Sequence, residues 1–124
     1  MRFLIDSHPL LWWVEASPAL GGDAHAAITD ATNEVLISSA SLWELTIKIA
    51  SGKLSLPTEL ETMVANQGFA VLSITFSHLR QLAGLPRLHR DPFDRMMIAQ
   101  ALSEGIPIAT GDPVFAAYGV QILW

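Results

Sequence analysis

The sequence of 124 residues contains no cysteine. This absence excludes disulfide bonds, zinc sites built on thiolates and a cysteine nucleophile. Charged residues are scarce, at 15%, and seven lysines and arginines face twelve aspartates and glutamates, which gives a net charge of −5. The chain as a whole therefore does not attract nucleic acid, and any contact with a phosphate backbone must come from a local group of basic residues.

Long apolar runs and glycine-rich loops are missing as well. No uninterrupted apolar run approaches the roughly 20 residues needed to span a bilayer. Asp6, His8 and Pro9 interrupt the apolar residues near the N-terminus, and no small-residue cleavage site with a basic leader is present. Neither G-x-x-x-x-G-K-S/T nor G-x-G-x-x-G occurs, so a nucleotide-binding loop is not expected. We expect a soluble, cytoplasmic protein that does not associate with a membrane.

Apolar residues are abundant, at 51%, and the length is that of one domain, residues 1–124. Short apolar runs alternate along the chain with segments of helical character. Strands are predicted at residues 3–5, 35–37, 69–72, 107–109 and 120–122, and helices at residues 9–14, 23–32, 42–50, 57–66, 75–83 and 91–103. Continuous apolar strands are typical of a parallel sheet covered by helices on both faces, so this alternation predicts an open α/β fold.

Four acidic residues lie where such a sheet binds its ligands. Asp6 directly follows the first strand, and Asp112 follows the fourth. Glu44 lies in the helix after the second strand, and Asp94 lies in the first turn of the helix that opens at Asp91. Ligands of open α/β sheets lie beyond the carboxyl ends of the strands, so these carboxylates can converge. Such a cluster repels itself without a cation, and oxygen ligands favour Mg²⁺ or Mn²⁺, metals that typically serve phosphate chemistry.

Helix capping is the alternative explanation for the same acids. Ser41 and Glu44 fit the S-x-x-E capping box, and Asp91 precedes a proline at the first helical position. Asp112 is also followed by a proline, and Asp6 fits the cap of the helix after it. The pattern alone leaves both explanations open, and the two can coexist because helix N-termini bind phosphate groups.

Four motifs run in order along the chain. Residues 3–8 read Phe-Leu-Ile-Asp-Ser-His, residues 41–44 read Ser-Leu-Trp-Glu, residues 89–94 read His-Arg-Asp-Pro-Phe-Asp, and residues 110–112 read Thr-Gly-Asp. Together, and in this order, they resemble the PIN-domain family and, within it, the VapC-type toxins of bacterial toxin–antitoxin modules. The resemblance implies a three-layer α/β/α fold with a short, mostly parallel central sheet.

The resemblance also implies roles for individual residues. The residues that match the family's catalytic acids and ligands of Mg²⁺ or Mn²⁺ are Asp6, Glu44, Asp94 and Asp112. Ser7 and Thr110 match polar positions beside the metal, whereas Asp91 is expected to cap a helix rather than bind the ion. The implied activity is metal-dependent endoribonuclease cleavage, in which an activated water hydrolyses the phosphodiester and leaves a 3′-hydroxyl and a 5′-phosphate.

The implied partners are an RNA substrate, a cognate antitoxin whose C-terminal segment lies near the acids, and a second copy in a homodimer. The basic residues that are candidates for RNA-phosphate contacts are Arg87, Arg90, Arg95, Lys48 and Lys53. Such contacts would position RNA rather than read its bases, and ordinary solvated charge is the alternative for each.

A second hypothesis is a catalytically silent module that keeps the fold and binds a protein or RNA partner. Metal dependence separates the two hypotheses, because only the enzyme loses its activity when a chelator is added. A phospho-receiver domain is not supported, since residues 73–75 read Ser-Ile-Thr where an acceptor aspartate is needed after the third strand.

Overall fold

The computed structural model describes residues 1–124. Its strands are β1 (Arg2–Ile5), β2 (Glu34–Ser38), β3 (Ala70–Leu72), β4 (Ile108–Ala109) and β5 (Ile122–Leu123). Its α-helices are α1 (Ser7–Val14), α2 (Gly22–Thr29), α3 (Ser39–Ala50), α4 (Leu60–Asn66), α5 (Phe76–Ala83) and α6 (Pro92–Glu104), and a short 3₁₀ helix spans Phe115–Tyr118. None of the helices combines the length and the apolar character that crossing a membrane requires.

The five strands form one sheet in the order β3-β2-β1-β4-β5, and every pair is parallel. From β1 the chain builds outward through β2 to β3, and it then crosses over to place β4 on the other side of β1. The direction of winding therefore changes between β1 and β4. The crevice beyond the carboxyl ends of two such strands is where open α/β folds bind ligands.

The side chains of each strand alternate between two cores. Phe3 and Ile5 of β1 belong to a cluster that includes residues of α1, α2, α3 and α4, whereas Leu4 between them belongs to a cluster with α6. Ile108 and Ala109 of β4 divide between the same two clusters. Both faces of the sheet are thus covered by helices, which explains why the buried residues of β1 and β4 are apolar on both faces. The expected three-layer α/β/α arrangement is confirmed, with an entirely parallel sheet.

All of the predicted strands and helices are present, but several begin or end elsewhere. The helix predicted over residues 23–32 runs from Gly22 to Thr29, with Gly21 rather than Asp23 at its N-cap. The helix predicted to open at Pro57 begins at Leu60. The final strand lies at Ile122–Leu123, shifted toward the C-terminus. The 3₁₀ helix at Phe115–Tyr118 was not predicted.

Two of the capping predictions are wrong. The N-cap of α3 is Ser38, whose hydroxyl accepts a hydrogen bond from the backbone N–H of Ala40, so the proposed capping box at Ser41 and Glu44 does not form. Ser41 lies inside the helix, fully buried. Asp112 is not the N-cap of a helix, because its carboxylate accepts from the N–H of Val114 in a turn before the 3₁₀ helix. The predictions that Asp6 caps α1 and Asp91 caps α6 are confirmed.

Candidate functional site

The four candidate acids line one cleft at the crevice between β1 and β4. The cleft has a volume of about 370 Å³. It is lined by Asp6, Glu44, Asp91, Asp94 and Asp112, and by His8, Pro9, Trp12, Lys48, Thr110, Gly111 and Trp124. The sequence prediction that carboxylates from separate elements converge at this edge of the sheet therefore holds for all four.

Hydrogen bonds from two hydroxyl groups fix the inner carboxylates. Asp6 follows β1 and is 8% exposed; its Oδ2 accepts from the Thr110 hydroxyl at 2.9 Å, and its Oδ1 accepts from the Ser7 backbone N–H at 2.7 Å. The Ser7 hydroxyl in turn donates to Glu44 Oε1 at 2.9 Å. Ser7 and Thr110 thus stand beside the acids, where the resemblance implied polar residues. They hold the carboxylates of Asp6 and Glu44 in fixed orientations.

The N-terminus of α6 brings Asp94 into the cleft. Asp91 Oδ1 accepts from the backbone N–H groups of Phe93 and Asp94 at 2.8 and 3.1 Å, and Pro92 occupies the first turn, where its missing N–H leaves no donor unpaired. The cap sets the start of the helix and therefore the direction in which Asp94 projects. The capping oxygen of Asp91 is occupied by these two bonds, in keeping with a capping role.

His89 joins Asp94 and Asp112 from the loop before α6. Its Nε2 lies 2.8 Å from Asp94 Oδ2 and 3.7 Å from Asp112 Oδ2, although neither contact has hydrogen-bond geometry. Its Nδ1 accepts from the Asp91 backbone N–H at 3.2 Å, which leaves the ring proton on Nε2. A protonated Nε2 cannot bind a metal. In this tautomer the Nε2–H faces the two carboxylates, and with Nε2 unprotonated His89, Asp94 and Asp112 offer three ligand atoms within 4.8 Å of one another.

Burial and mutual repulsion change the acidity of two carboxyl groups in the cleft. The pKa of Asp94 rises from its usual 3.8 to about 7, chiefly because of burial and then because of the charges of Asp6 and Asp91, with His89 acting in the opposite direction. Burial also raises the pKa of Asp6, whereas the hydrogen bonds from Thr110 and Ser7 lower it. The folded protein thus holds negative charge that its own groups do not neutralise.

The residues of the cleft fit a divalent cation. The four acids offer carboxylate oxygens, which Mg²⁺ and Mn²⁺ prefer. A cation among them would favour the ionised forms of Asp6 and Asp94 and so remove the cause of their raised pKa values.

The basic candidates separate into three places. Lys48 lines the acidic cleft, and its Nζ lies 3.9 Å from Glu44 Oε2. Arg87, Arg90 and Arg95 line a neighbouring cleft together with His89. Lys53 is exposed and lines neither cleft. The structure thus brings the three arginines together and leaves Lys48 and Lys53 each in a separate place.

Sequence reasoning missed three side chains that border the site. His89 has no ligand spacing to the other histidines in the sequence, and only its place in the His-Arg-Asp-Pro-Phe-Asp run points to the site. Trp12 and Trp124 form an apolar wall of the cleft, with ring centroids 5.8 Å apart. Trp124 gave no signal in the sequence, because its position depends on the pairing of β5 with β4.

Several solved structures have a similar fold. The DNA-bound VapBC2 complex of Rickettsia felis contains a chain that matches with a TM-score of 0.69 at 12% identity, over 98% of this chain and 97% of that one. The DNA-bound VapBC complex of Salmonella typhimurium matches with a TM-score of 0.67 at 19% identity, over 98% and 96%. VapBC-1 of nontypeable Haemophilus influenzae matches with a TM-score of 0.64 at 15% identity, over 98% and 96%. At these identities the similarity concerns the fold.

Comparison at the level of sequence gives the family. No curated protein matches the chain significantly. The family model of the PIN domain matches residues 3–121, which is nearly the whole chain and includes all four acids of the cleft. The structural neighbours agree with this match in fold and in extent. The chain belongs to the PIN domain family.

Proposed function

We propose that this PIN domain, residues 1–124, is a VapC-type toxin that hydrolyses RNA as a metal-dependent endoribonuclease. The observation that carries the proposal is the convergence of Asp6, Glu44, Asp94 and Asp112 in one cleft at the point where the winding of the sheet reverses. Membership in the PIN family and the fold shared with VapBC complexes support a nuclease of this type.

The four acids are the proposed catalytic residues and hold Mg²⁺ or Mn²⁺. When bound, such an ion supplies a water with a lowered pKa and polarises a phosphoryl oxygen. The carboxylates of Asp6 and Glu44 are preorganised for metal binding. Hydrogen bonds of 2.9 Å from the hydroxyl groups of Thr110 and Ser7, respectively, restrict their rotation. Asp112 is the most exposed of the four, with 37% of its side chain accessible, and borders the open side of the cleft.

Two helix N-termini assist in binding an anionic substrate. The caps of α1 and α6, Asp6 and Asp91, both line the cleft, so the positive ends of both helix dipoles lie beside it. Lys48 adds one positive charge at the wall next to Glu44. These groups offset part of the carboxylate charge that would otherwise repel a phosphodiester.

Cleavage of RNA by the purified protein, separated from any antitoxin, tests the activity. Total RNA is incubated with Mg²⁺ or Mn²⁺, and parallel reactions contain EDTA. We expect discrete products that disappear with EDTA and with Asp6→Asn or Asp94→Asn. Asp23→Asn is the matched control, because this aspartate is exposed on α2 and does not line the cleft, and it should cleave like the wild type.

The outcomes separate the enzyme from the silent module. If folded protein cleaves no RNA with either metal, the ribonuclease proposal is wrong and a binding module becomes the better account. Cleavage that persists in EDTA and in both acid variants would also contradict it, because it would show a contaminating nuclease or a different mechanism.

We further propose that a protein antitoxin inhibits the site, and the fold shared with chains of VapBC complexes supports such a partner. An acidic cleft is matched by a basic segment of such a partner. Co-purification with the candidate antitoxin should abolish cleavage, and Asp112→Asn, which removes charge at the open side, should weaken the complex. We also propose a homodimer, which light scattering coupled to size-exclusion chromatography tests directly.

A further inference from the structure

Three arginines line a second cleft beside the acidic one. Arg87, Arg90 and Arg95 surround a volume of about 420 Å³, and His89 is the only other lining residue. The chain has seven lysines and arginines and a net charge of −5, so nearly half of its basic residues meet in this one place. Such a concentration in an acidic protein requires a physical explanation.

None of the three arginines forms an ion pair. The ion pairs of lysine and arginine in the structure are Arg2 with Glu34 and Lys48 with Glu44, both elsewhere. Three cationic side chains around one space repel each other, and no carboxylate lies within 4.0 Å of any of them to balance that repulsion. An anion in the cleft would be attracted by all three.

The cleft is held in shape by Tyr118. The hydroxyl of Tyr118 accepts from the backbone N–H groups of Leu88 and His89 at 3.0 and 2.8 Å, which fixes the loop that carries Arg87 and Arg90. Arg95 Nη1 donates to the Pro86 carbonyl at 2.9 Å and to the Tyr118 hydroxyl at 3.3 Å, so this guanidinium is anchored at one edge. A fixed guanidinium loses little entropy when its remaining N–H groups bind an anion.

The arginine cleft and the acidic cleft share a wall. His89 lines the arginine cleft, and its Nε2 lies 2.8 Å from Asp94 Oδ2 of the acidic cleft. Arg95 directly follows Asp94 in α6. The acidic cleft, which suits a cation, thus lies beside the arginine cleft, which suits an anion. A nucleic-acid strand has a phosphate at every nucleotide, so it can place neighbouring phosphates in the two clefts.

We propose that the arginine cleft binds the backbone phosphate of RNA next to the phosphate that is cleaved. This proposal rests on the proposed ribonuclease function for the identity of the strand. Arginine forks match phosphate oxygens in a bidentate manner. An acidic peptide is the less suitable occupant, because its neighbouring carboxylates would be repelled by Asp94 and Asp112. An RNA strand would instead place one phosphate against the arginines and the next against a divalent cation in the acidic cleft.

Binding of RNA to an inactive protein tests the site separately from catalysis. The background is Asp6→Asn, and the probe is a fluorescein-labelled single-stranded RNA oligonucleotide in Mg²⁺, titrated at several NaCl concentrations. Arg87→Gln with Arg90→Gln is the test variant, because neither side chain has a hydrogen bond within the protein that the fold needs. Arg80→Gln is the matched control, since Arg80 is exposed on α5, outside both clefts, and bonds only to Ser77.

We expect the double variant to weaken binding about tenfold or more, as the loss of charge-assisted bonds to one phosphate predicts. The slope of log K against log salt should become shallower by about 0.7, the value for one phosphate on a single strand. Arg80→Gln should change neither quantity. Equal affinity and equal slope for the double variant and the control would overturn the proposal.

Two further outcomes keep this site distinct from the proposed function. If the wild type cleaves no RNA but the double variant still loses RNA affinity and slope, the ribonuclease proposal fails and the phosphate site stands. If the double variant keeps its RNA affinity but no longer binds the antitoxin, the cleft belongs to the protein interface and the phosphate assignment is wrong.

Discussion

The hydroxyl of Thr110 donates a hydrogen bond of 2.9 Å to Oδ2 of Asp6, a residue 104 positions earlier in the chain. The bond joins the ends of β4 and β1, the two strands between which the winding of the sheet reverses. It also opposes the effect of burial on Asp6, whose pKa is raised by desolvation and lowered by this hydroxyl. The Thr110 side chain thus links the ends of β1 and β4, and it lowers the pKa of Asp6 below the value that burial alone would give.

Thr110→Val should therefore destabilise the fold by about 1–3 kcal/mol near neutral pH, because it leaves a buried carboxylate oxygen without its donor. The loss should shrink as the pH falls, since the variant raises the pKa of Asp6 further and protonation removes the unpaired charge. Urea unfolding at pH 8 and pH 5 measures both effects. Thr110→Ser keeps the hydroxyl and should recover most of the stability; equal losses for the two variants would show that packing, not the bond, is responsible.

The raised pKa of Asp94, about 7 against a usual 3.8, predicts how stability depends on pH without metal. Between these two values the folded state binds more protons than the unfolded state, so stability falls as the pH rises from about 4 to about 7. The full difference corresponds to an upper limit of roughly 4 kcal/mol. Thermal unfolding in EDTA should therefore give a lower Tm at pH 8 than at pH 5.

Divalent metal should reverse this dependence, because it stabilises the ionised carboxylates. Mg²⁺ or Mn²⁺ should raise the Tm more at pH 8 than at pH 5. Asp94→Asn should be more stable than the wild type at pH 8 in EDTA and should lose most of the metal-induced shift, while Asp23→Asn should keep it. A wild-type Tm that does not change with pH in EDTA, or a metal shift unchanged in Asp94→Asn, would contradict the assignment.

The order of the elements and the convergence of the acids could be predicted from sequence because both depend on local patterns. Apolar runs mark the strands, and the carboxyl ends of parallel strands share one edge, so residues such as Asp6 and Asp112 are brought together by topology alone. The start of α6 was also readable, since Asp91 and Pro92 form an unambiguous cap. These features need no knowledge of distant contacts.

Other features depend on contacts between distant residues and gave no local signal. Three serines between positions 38 and 41 could each begin α3, and the choice of Ser38 follows from its buried bond to Gln100, 62 positions away. His89 lies beside Asp94 in a loop that Tyr118 fixes by accepting from the backbone N–H groups of Leu88 and His89. Sequence spacing contains no information on either contact.

Gln100 should prove important for stability although it does not line the acidic cleft. Its side chain is fully buried, accepts from the Ser38 hydroxyl and donates to the Leu72 carbonyl at 3.3 Å. Gln100→Leu introduces an apolar side chain and leaves the Ser38 hydroxyl and the Leu72 carbonyl without their hydrogen bonds to residue 100. We therefore expect the free energy of unfolding, measured in urea, to fall by about 2–4 kcal/mol. Gln81→Leu, at an exposed position on α5, should change stability by less than about 0.5 kcal/mol. A neutral Gln100→Leu would show that the bonds contribute little.

Trp124 packs so closely on Gly111 that no larger residue fits there. A Cβ at Gly111 would lie 2.8 Å from Trp124 Cζ2 and 2.9 Å from Cε2, so Gly111→Ala must displace the indole ring. Overpacking of this kind costs about 1–3 kcal/mol, and the tryptophan emission should change because the ring also packs against Trp12.

Gly22→Ala is the matched control, because its Cβ would meet nothing within 4 Å in the first turn of α2. It should leave the emission unchanged and stabilise the protein by up to about 1 kcal/mol. If both variants unfold at the same urea concentration with unchanged emission, Trp124 does not form the rigid wall of the cleft that the structure describes.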